Sequence, residues 1–569
     1  MPNPGTFVKE GEVPKDLGAD LGAALLAACL GLALASGVFQ TAWARWPAAG
    51  LLPDDRTLVL LAACLGLLLL VWRMGLWRRW TRPAFVLGWT QVAFAVLALT
   101  IMFSQHSAWI NGHWTAWLAD DPMVSMQYAR HLVEGKGLVW TQGQRVEGFS
   151  NPLWVLCMAG ILAIGVPRAA AAAGVLFLNL LLGLAALPAC ARLARALGAS
   201  PLAAALAAAG LGLSYEWVWA ASSGMESTAL ACLCAWAFVG LAEAQTKGRD
   251  VPAWVPILAG AASVLRFDGF IPAGLIWAMS WRLPSRRGRW WDAMWVLGPA
   301  IAWQIFRLAY YHAWIPNTVI LKMGDWPGRW QAGWDYVMRL DFQSRIALLA
   351  ALSALCLRNL RLWALLFLAA LCYGLTTAGD FYPGTRYLAW AWPLLWTLSA
   401  AAFCVWLPRP WSTLCVAIAA VCAYQAFCAF PGLMQGGWLA GKERIEIAAT
   451  LDRLVAPGQV VASDWAGSFY FYSNVAGEDL LGKCDPVVAH VEPDPSLGPT
   501  AHNKLDLAYS LEGLRPDWVL LVAPGQEEDL GWLHSVYDAR IWDDPGFSAH
   551  CKANLRRVGV HWALCRCRW

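Results

Sequence analysis

The chain has 569 residues, of which 59% are hydrophobic and only 14% are charged, and its mean hydropathy is +0.47. Because soluble domains carry roughly 25% charged residues, this composition excludes an ordinary soluble protein and predicts an all-α polytopic membrane protein. The net charge of +4 is small and spread over loops, so no nucleic-acid partner is expected.

Apolar segments of the length that spans a bilayer, about 20 residues, recur along the chain. The candidates are 19–43, 57–72, 84–103, 171–191, 201–221, 226–243, 291–312, 361–378, 387–407 and 411–430, with a shorter one at 344–357. Charged residues at 266–269 interrupt the apolar segment 252–282, which therefore predicts two short helices meeting at a break. The total is about 13 transmembrane helices.

Residues 153–166 are apolar but too few for a full crossing. We expect a helix in the outer membrane interface that starts at Pro152 and is capped by Ser150 or Asn151.

The orientation follows from basic residues in short loops, which favour the cytoplasm. Arg73, Arg78, Arg79 and Arg82 lie between the second and third candidate spans. This predicts a multi-pass protein with a cytoplasmic N-terminus, a first extracytoplasmic loop at 104–170 and an extracytoplasmic C-terminal region.

The C-terminal region is less apolar and contains strand-like stretches at 459–464 (QVVASD) and 517–523 (DWVLLVA). We predict three regions: additional N-terminal transmembrane helices at 1–83, a transmembrane core at 84–434, and an extracytoplasmic α/β domain at 435–569. Four cysteines in the last region permit two disulfides if it is exported, but their pairing cannot be read from the sequence. They are Cys484, Cys551, Cys565 and Cys567.

An acidic pair, Asp120 and Asp121, opens the polar segment of the first loop. Since Pro122 suits the first turn of a helix, Asp121 is expected at the N-cap and Asp120 outside the helix, free to face a substrate. The helix is expected to run to Glu134 and to end at Gly135. If one carboxylate is a catalytic base, this argument favours Asp120.

Further polar residues lie in other loops that the topology places on the outer side. Several Arg and Lys with one or two carboxylates suit transfer from a lipid-phosphate donor, because cations hold the leaving phosphate and a carboxylate takes the proton of an acceptor hydroxyl. No metal is strictly needed, because Arg and Lys supply positive charge, and the sequence leaves open whether a divalent cation assists.

Each of these residues also has a purely structural interpretation. Lys136 and Arg145 could be anchors that reach for the membrane surface. Asp380 and Arg386 could simply pair with each other, and Glu147 is expected to support Arg145.

The segment DDPMVSMQYARHLVEGKGLVW, followed by RVEGFSNPLW, resembles the signature loop of the GT-C glycosyltransferases related to the mycobacterial terminal arabinofuranosyltransferase AftB. Three further pieces resemble the same family in the same order, and the resemblance covers roughly 84–525. They are Pro316-Asn317-Thr318 to Lys322, Gly379-Asp380-Phe381 to Arg386-Tyr387, and Asp479-Leu480-Leu481-Gly482 running on to His502-x-Lys504-x-Asp506.

The resemblance implies the GT-C fold in the bacterial inner (plasma) membrane. It also implies transfer of a sugar, a pentose such as arabinofuranose or a hexose, from a polyprenyl-phosphate donor to a cell-envelope glycan or glycolipid outside the membrane. In this family the first acid of the pair is usually the base, which agrees with Asp120. The sequence departs from the family at Gln127, where an Arg is common, and at His131, where an Asn is common.

The predicted site therefore has three groups of residues and is surrounded by membrane lipids. No metal ligands and no certain cofactor are predicted. The acids Asp120 and Asp121 are catalytic. The donor phosphate is bound by Arg130, Arg266, Lys322 and Arg386. Substrate is bound by Gln127, Tyr128, Glu147, Asn151, Asp268, Asn317, Asp380, His502 and Lys504.

The alternative function is a transporter or flippase of lipid-linked envelope precursors. Transporters usually show internal repeats, and none is evident between the two halves of this chain.

Overall fold

The structure is a computed structural model that describes residues 82–569 except 285–287, 325–327, 340–341, 381, 383, 409, 419, 421–430, 499–500 and 524–531. The predicted spans 19–43 and 57–72, and with them nearly all of the N-terminal region 1–83, lie outside the described residues. The same holds for the second half of the predicted span 411–430.

The helices, numbered in chain order, are α1 (Pro83–Gln105), α2 (Asp120–Val133), α3 (Pro152–Ala163), α4 (Arg168–Ala196), α5 (Pro201–Leu213), α6 (Tyr215–Ser223), α7 (Ser227–Lys247), α8 (Trp254–Leu265), α9 (Phe270–Ser280), α10 (Arg289–Tyr311), α11 (Asn317–Lys322), α12 (Arg329–Met338), α13 (Phe342–Ser353), α14 (Arg361–Thr376), α15 (Trp392–Trp406), α16 (Pro431–Leu454), α17 (Ser468–Tyr472), α18 (Pro486–His490), α19 (Trp532–Trp542) and α20 (Pro545–His550). The strands are β1 (Ser107–Ile110), β2 (His113–Ala116), β3 (Val460–Ser463), β4 (Ala476–Asp479), β5 (Trp518–Val522), β6 (Leu555–Val558) and β7 (Trp562–Arg566).

Within the described residues, four helices are long and apolar enough to cross a membrane: α1, α4, α7 and the segment Arg386–Trp406, which contains α15. The bent pair α5 and α6 makes a fifth if it counts as one span. The chain is therefore mainly helical with several membrane-capable helices, as its composition predicts. The count of about 13 crossings stays a prediction.

Two apolar segments are broken helices. The predicted break in 252–282 is confirmed: α8 ends at Leu265, Arg266 is extended, and a 3₁₀ turn at Phe267–Gly269 leads into α9. The predicted span 201–221 is bent: α5 and α6 meet at an angle of 52° and are apolar enough to count together as one span. The extended backbone of Ser214, with ψ at 147°, makes that bend.

The C-terminal region carries a five-stranded mixed sheet in the order β4-β3-β5-β7-β6. β3 pairs in parallel with β4 and β5, whereas β7 pairs antiparallel with β5 and β6. Strands β3 and β5 fall on the two stretches that the sequence marks as strand-like.

Both faces of this sheet are buried, which explains the unbroken apolar run of β5. Val519 and Leu521 pack on one face against Phe547 of α20. Leu520 and Val522 point to the other face and belong to the same hydrophobic cluster as the membrane-capable helices. The sheet therefore shares a core with the helical region.

The close packing of α5 against α15 gives a stability prediction. A Cβ on Gly210 would overlap the indole of Trp396, which is buried. We expect Gly210→Ala to lower the free energy of unfolding by about 1–3 kcal/mol, because overpacking a dense core forces its neighbours to shift. Gly88→Ala is the matched control, since nothing lies within 4 Å of its Cβ and Ala is the better helix former.

The measurement is thermal unfolding of the two variants in detergent, followed by tryptophan fluorescence. Equal melting temperatures for both would contradict this account of the α5–α15 contact.

Candidate functional site

A cavity of about 780 Å³, including its open mouth, lies where α2 meets α11, the segment before α15 and the C-terminal region. The acidic, basic and histidine side chains that line it are Asp121, Glu226, Lys322, Asp380, Arg386, Lys483 and His502. Residues far apart in the sequence are thus brought to one place.

Asp121 lies at the centre of this charge cluster. Its carboxylate accepts a hydrogen bond from Lys483 and forms an ion pair with Arg386 at 3.3 Å. Its backbone N–H donates to the hydroxyl of Tyr382 at 3.2 Å. Two cations from different loops therefore hold one carboxylate at the cavity wall.

The charges shift the pKa values of this pair in opposite senses. Burial by itself raises the pKa of the Asp121 carboxyl, but Lys483 and Arg386 outweigh burial and hold that pKa well below its usual range. Burial lowers the pKa of the Lys483 ammonium, and Asp121 outweighs it in turn, so that pKa is raised. Both groups are charged at neutral pH.

Asp120 does not line the cavity. Its carboxylate accepts a hydrogen bond from the backbone N–H of Ser468 at 3.1 Å and lies 3.6 Å from the guanidinium of Arg444. A Cβ on Gly467 would come within 2.5 Å of Asp120, so the two segments are in close contact. Asp120 thus joins α2 to the C-terminal region.

The capping argument for the acidic pair is wrong. Helix α2 begins at Asp120, its N-cap residue is Ala119, and no side-chain cap hydrogen bond forms at this end of the helix. Both carboxylates instead reach tertiary partners, because buried cations compete with backbone N–H groups for them. The predicted end of the helix near Glu134 is confirmed.

Arg386 and Asp380 form an ion pair, as the structural interpretation of these two residues anticipates. The Arg386 guanidinium also donates to Asp380 at 2.8 Å and lies 4.8 Å from the ring centre of Tyr382. Arg386 nevertheless lines the cavity and pairs with Asp121, so it holds two carboxylates at once.

Lys322 lines the cavity at the end of α11, with its ammonium 5.8 Å from the ring centre of Tyr387. Among the described residues no carboxylate lies within ion-pair distance of it. Lys322 thus adds a third positive charge to the cavity wall, beside Arg386 and Lys483.

Arg130 is not brought to the cavity. Its guanidinium bonds Glu134 of the same helix and donates to the carbonyls of Tyr470, Phe471 and Ser473 and to the side chain of Asn474. With these contacts the side chain fixes α2 to α17, and the phosphate-binding role predicted for it gains no support.

Gln127 and Tyr128 are buried structural residues of α2. The Gln127 amide contacts His131 at 3.2 Å and the Trp140 carbonyl at 3.4 Å. The Tyr128 hydroxyl donates to the Val146 carbonyl and accepts from the Gly148 N–H. Both shape the first loop from behind the cavity.

Glu147 pairs with Arg307 of α10 and accepts a hydrogen bond from the Trp303 indole at 3.0 Å. The expected support of Arg145 is therefore wrong, since Arg145 instead lies over the ring of Tyr310. A buried carboxylate loses its hydration, so it is stabilised by a cation that is buried with it and not by one nearer in the sequence.

A second charge network lies behind the cavity at the break between α8 and α9. Arg266 pairs with Asp268 at 3.0 Å and with Glu226 at 3.6 Å, and it donates to the Arg386 carbonyl. Asn151, which does line the cavity, donates to Glu226 at 2.8 Å. Arg266 and Asp268 therefore support the cavity wall and do not line it.

Of the remaining residues predicted to bind substrate, one lines the cavity and two make contacts within the protein. His502 lines the cavity. Lys504 donates to the carbonyls of Ala489 and Ile320, which ties the C-terminal region to α11. Asn317 donates its side-chain N–H groups to the chain around Lys483.

Lys483, Tyr382 and Glu226 were missed as site residues by sequence reasoning. Lys483 directly follows Gly482, within the family-like piece that runs from Asp479 to Asp506. Tyr382 lies inside the piece that ends at Arg386-Tyr387. These pieces were the available signals. Glu226 had only its place between two apolar helices as a hint.

Among the described residues, no group of three or more His, Cys, Asp or Glu could hold a metal ion. Cys551 and Cys567 form a disulfide, whereas Cys484 and Cys565 are buried and free.

The Lys483–Asp121 pair gives a pH-dependent stability prediction. The folded pKa of Asp121 lies below its unfolded value of about 3.9, so its ionised form stabilises the fold above that value and this contribution is lost as the pH falls. We expect Lys483→Met to be less stable than the wild type at pH 7 and to lose less stability on acidification.

The measurement is the melting temperature in detergent from about pH 7 down to about pH 1, because the two proteins differ only at a pH low enough to protonate Asp121 in the folded variant, below the unfolded value of about 3.9. Lys552→Met is the control, since Lys552 donates to a backbone carbonyl. An unchanged acid dependence in Lys483→Met would disprove the coupling.

Comparisons with known proteins agree with the resemblance seen in the first loop. No protein-family model matches the chain. A terminal beta-(1->2)-arabinofuranosyltransferase of Corynebacterium glutamicum is 27% identical over 252 residues, which cover 39% of this chain and 36% of that protein. The match thus spans about a third of the length of that curated relative.

Two solved structures share the fold at 12% sequence identity. The structure of ArnT from Cupriavidus metallidurans, bound to undecaprenyl phosphate, superposes with a TM-score of 0.53 and covers 84% of this chain and 98% of that one. The Archaeoglobus fulgidus oligosaccharyltransferase, tethered to an acceptor peptide, gives 0.51 and covers 83% and 73%. The chain therefore has the fold of the GT-C glycosyltransferases, and its resemblance to the terminal arabinofuranosyltransferases is confirmed.

Proposed function

We propose that the chain is a membrane glycosyltransferase that moves a sugar from a polyprenyl-phosphate donor to a cell-envelope glycan or glycolipid on the outer face of the membrane. The sugar is a pentose such as arabinofuranose, or a hexose. The observation that carries the proposal is the cavity in which Lys322, Arg386 and Lys483, from three separate segments, surround the carboxylate of Asp121.

The three cations suit the phosphate of a lipid-linked donor. Arg386 offers a planar pair of donors for phosphate oxygens, and the two lysines offer compact charges. Support also comes from the ArnT structure, which holds undecaprenyl phosphate on the same fold. These cations can supply the charge that a metal would otherwise supply.

Of the acidic pair, Asp121 is the better placed to take a proton from the acceptor hydroxyl, because it lines the cavity and Asp120 does not. Lys483 and Arg386 keep its basicity low. A donor phosphate would attract the same two cations and weaken their hold on Asp121, which then becomes a better base. This proposal differs from the assignment at Asp120, which rested on the capping argument and on the family resemblance.

The outer face of the bacterial inner membrane is the proposed location. Disulfides persist in oxidising compartments, and the Cys551–Cys567 bridge supports an extracytoplasmic C-terminal region. This region supplies Lys483 and His502 to the cavity, so the acceptor glycan is proposed to bind beside it. The alternative of a transporter or flippase is not favoured, since the curated relative and the structural neighbours are transferases.

Exchange of each acid for its amide distinguishes the two assignments of the base. We expect Asp121→Asn to lower the rate of sugar transfer by about 10²–10⁴-fold, which is the usual contribution of a general base. Asp120→Asn keeps an oxygen for the Ser468 N–H but loses the negative charge that faces Arg444. We therefore expect a stability loss with most of the transfer rate retained.

The assay follows transfer from a polyprenyl-phosphate pentose or hexose to an arabinan oligosaccharide, at equal amounts of folded protein. Full activity of Asp121→Asn, or loss of activity only in folded Asp120→Asn, would return the base to Asp120.

Lys322 offers a test of donor binding with little effect on the fold. We expect Lys322→Met to raise the donor KM by about 10–100-fold, because a charged hydrogen bond contributes roughly 1.5–3 kcal/mol. Lys136→Met is the control, since Lys136 lies in the first loop and pairs with Glu134 at the protein surface. A donor KM that is equal in both variants would remove Lys322 from the phosphate site.

A further inference from the structure

The turn that carries Lys483 is held in a defined shape by its own residues. Asp479 accepts hydrogen bonds from the N–H groups of Leu481 at 3.0 Å and Cys484 at 2.7 Å. Gly482 has φ of +83°, and a Cβ there would come within 2.8 Å of Val488. A substituent at this position would therefore move the turn.

Asn317 joins this turn to two other segments of the chain. Its side-chain nitrogen lies 2.9 Å from the Gly482 carbonyl, 3.1 Å from that of Lys483 and 2.9 Å from that of Asp485. Its backbone N–H donates to the Glu147 carbonyl at 3.0 Å. The first loop, α11 and the Lys483 turn thus meet at one buried amide.

The first loop packs directly on the other side of the same turn. A Cβ on Gly148 would come within 2.6 Å of the Cys484 sulfur and 3.0 Å of the Lys483 carbonyl. The turn is therefore confined between Gly148 and Asn317, and the side chain of Lys483 leaves it toward Asp121.

We propose that Asn317 is a positioning residue: by binding the backbone of the Lys483 turn, it keeps the Lys483 ammonium against Asp121 in the cavity. This inference rests on the proposed function, and it replaces direct substrate binding by Asn317. The amide has two N–H groups for three carbonyls, so its donors are fully used inside the protein.

Other charged and titratable groups around Asp121 limit how far its pKa can move when Lys483 is displaced. Arg386 and Lys322 stay in place on other elements, so the carboxyl remains more acidic than usual, but less so than in the wild type. The groups facing the pair are Asp120 of α2, Lys322 of α11, Tyr382 and Arg386 of the segment before α15, and Asp479 and His502 of the C-terminal region.

The test compares Asn317→Asp with Lys483→Met in the full-length protein. The aspartate has nearly the same shape but cannot donate to the three carbonyls. We expect the donor KM to rise by about 10-fold or more, because a cation at the phosphate is displaced. Since Asp121 acts when ionised and its pKa rises, the acid limb of kcat/KM should move to higher pH in both variants.

The double variant shows whether Asn317 acts through Lys483. If it does, adding Asn317→Asp to Lys483→Met changes the donor KM by less than about twofold, since the positioned group is already gone. Asn317→Ala and Gly482→Ala disturb the same turn from its two sides, and both should move the acid limb in the same direction.

Asn474→Ala is the matched control for a merely structural contact. Asn474 binds Arg130 and Asp452 elsewhere between the helical region and the C-terminal region. We expect a lower melting temperature without a shift of the acid limb. An unmoved acid limb in the Asn317 variants, or independent effects in the double variant, would overturn the positioning role while wild-type transfer upholds the proposed function. A wild type that transfers no sugar from polyprenyl-phosphate donors would overturn both.

Discussion

A carboxylate that is largely removed from water is stabilised by a cation close by, and in this protein that requirement joins the helical region to the C-terminal region. Asp121 lies on the first loop, and Lys483, its partner, lies 362 positions later in the chain. Removing Lys483 leaves Asp121 with Arg386 as its remaining ion-pair partner, and removing Asp121 leaves the Lys483 ammonium without the carboxylate that it binds. The cavity and the contact between the two regions of the chain are therefore stabilised by the same interaction.

The first loop contributes to each of the charge networks around this cavity. Asp121 pairs with the C-terminal region, Glu147 with α10, and Asn151 with the network at the helix break. Since each partner lies on a different element, the loop is held from several sides. A polar segment rich in glycine can in this way present one carboxylate at a defined place in an otherwise apolar protein.

Local patterns in the sequence predicted features that depend on neighbouring residues. The charges at 266–269 marked the break between α8 and α9, and Gly135 marked the end of α2. The hairpin of β1 and β2 was missed, although Asn111 and Gly112 form its two-residue turn with positive φ at both positions. Partner choice was less predictable, as Glu147 shows by binding Arg307 and not the nearby Arg145.

The amino-acid sequence by itself determined the membrane class, most helix positions and the family resemblance, because these follow from apolar length, helix-end residues and short motifs. Tertiary structure alone decided which acid faces the cavity and which cation meets it. The local signals favoured Asp120, which does not line the cavity, and Lys483 is one of many cations along the chain. Only packing of the C-terminal region on the first loop places its ammonium beside Asp121 and the Ser468 amide beside Asp120.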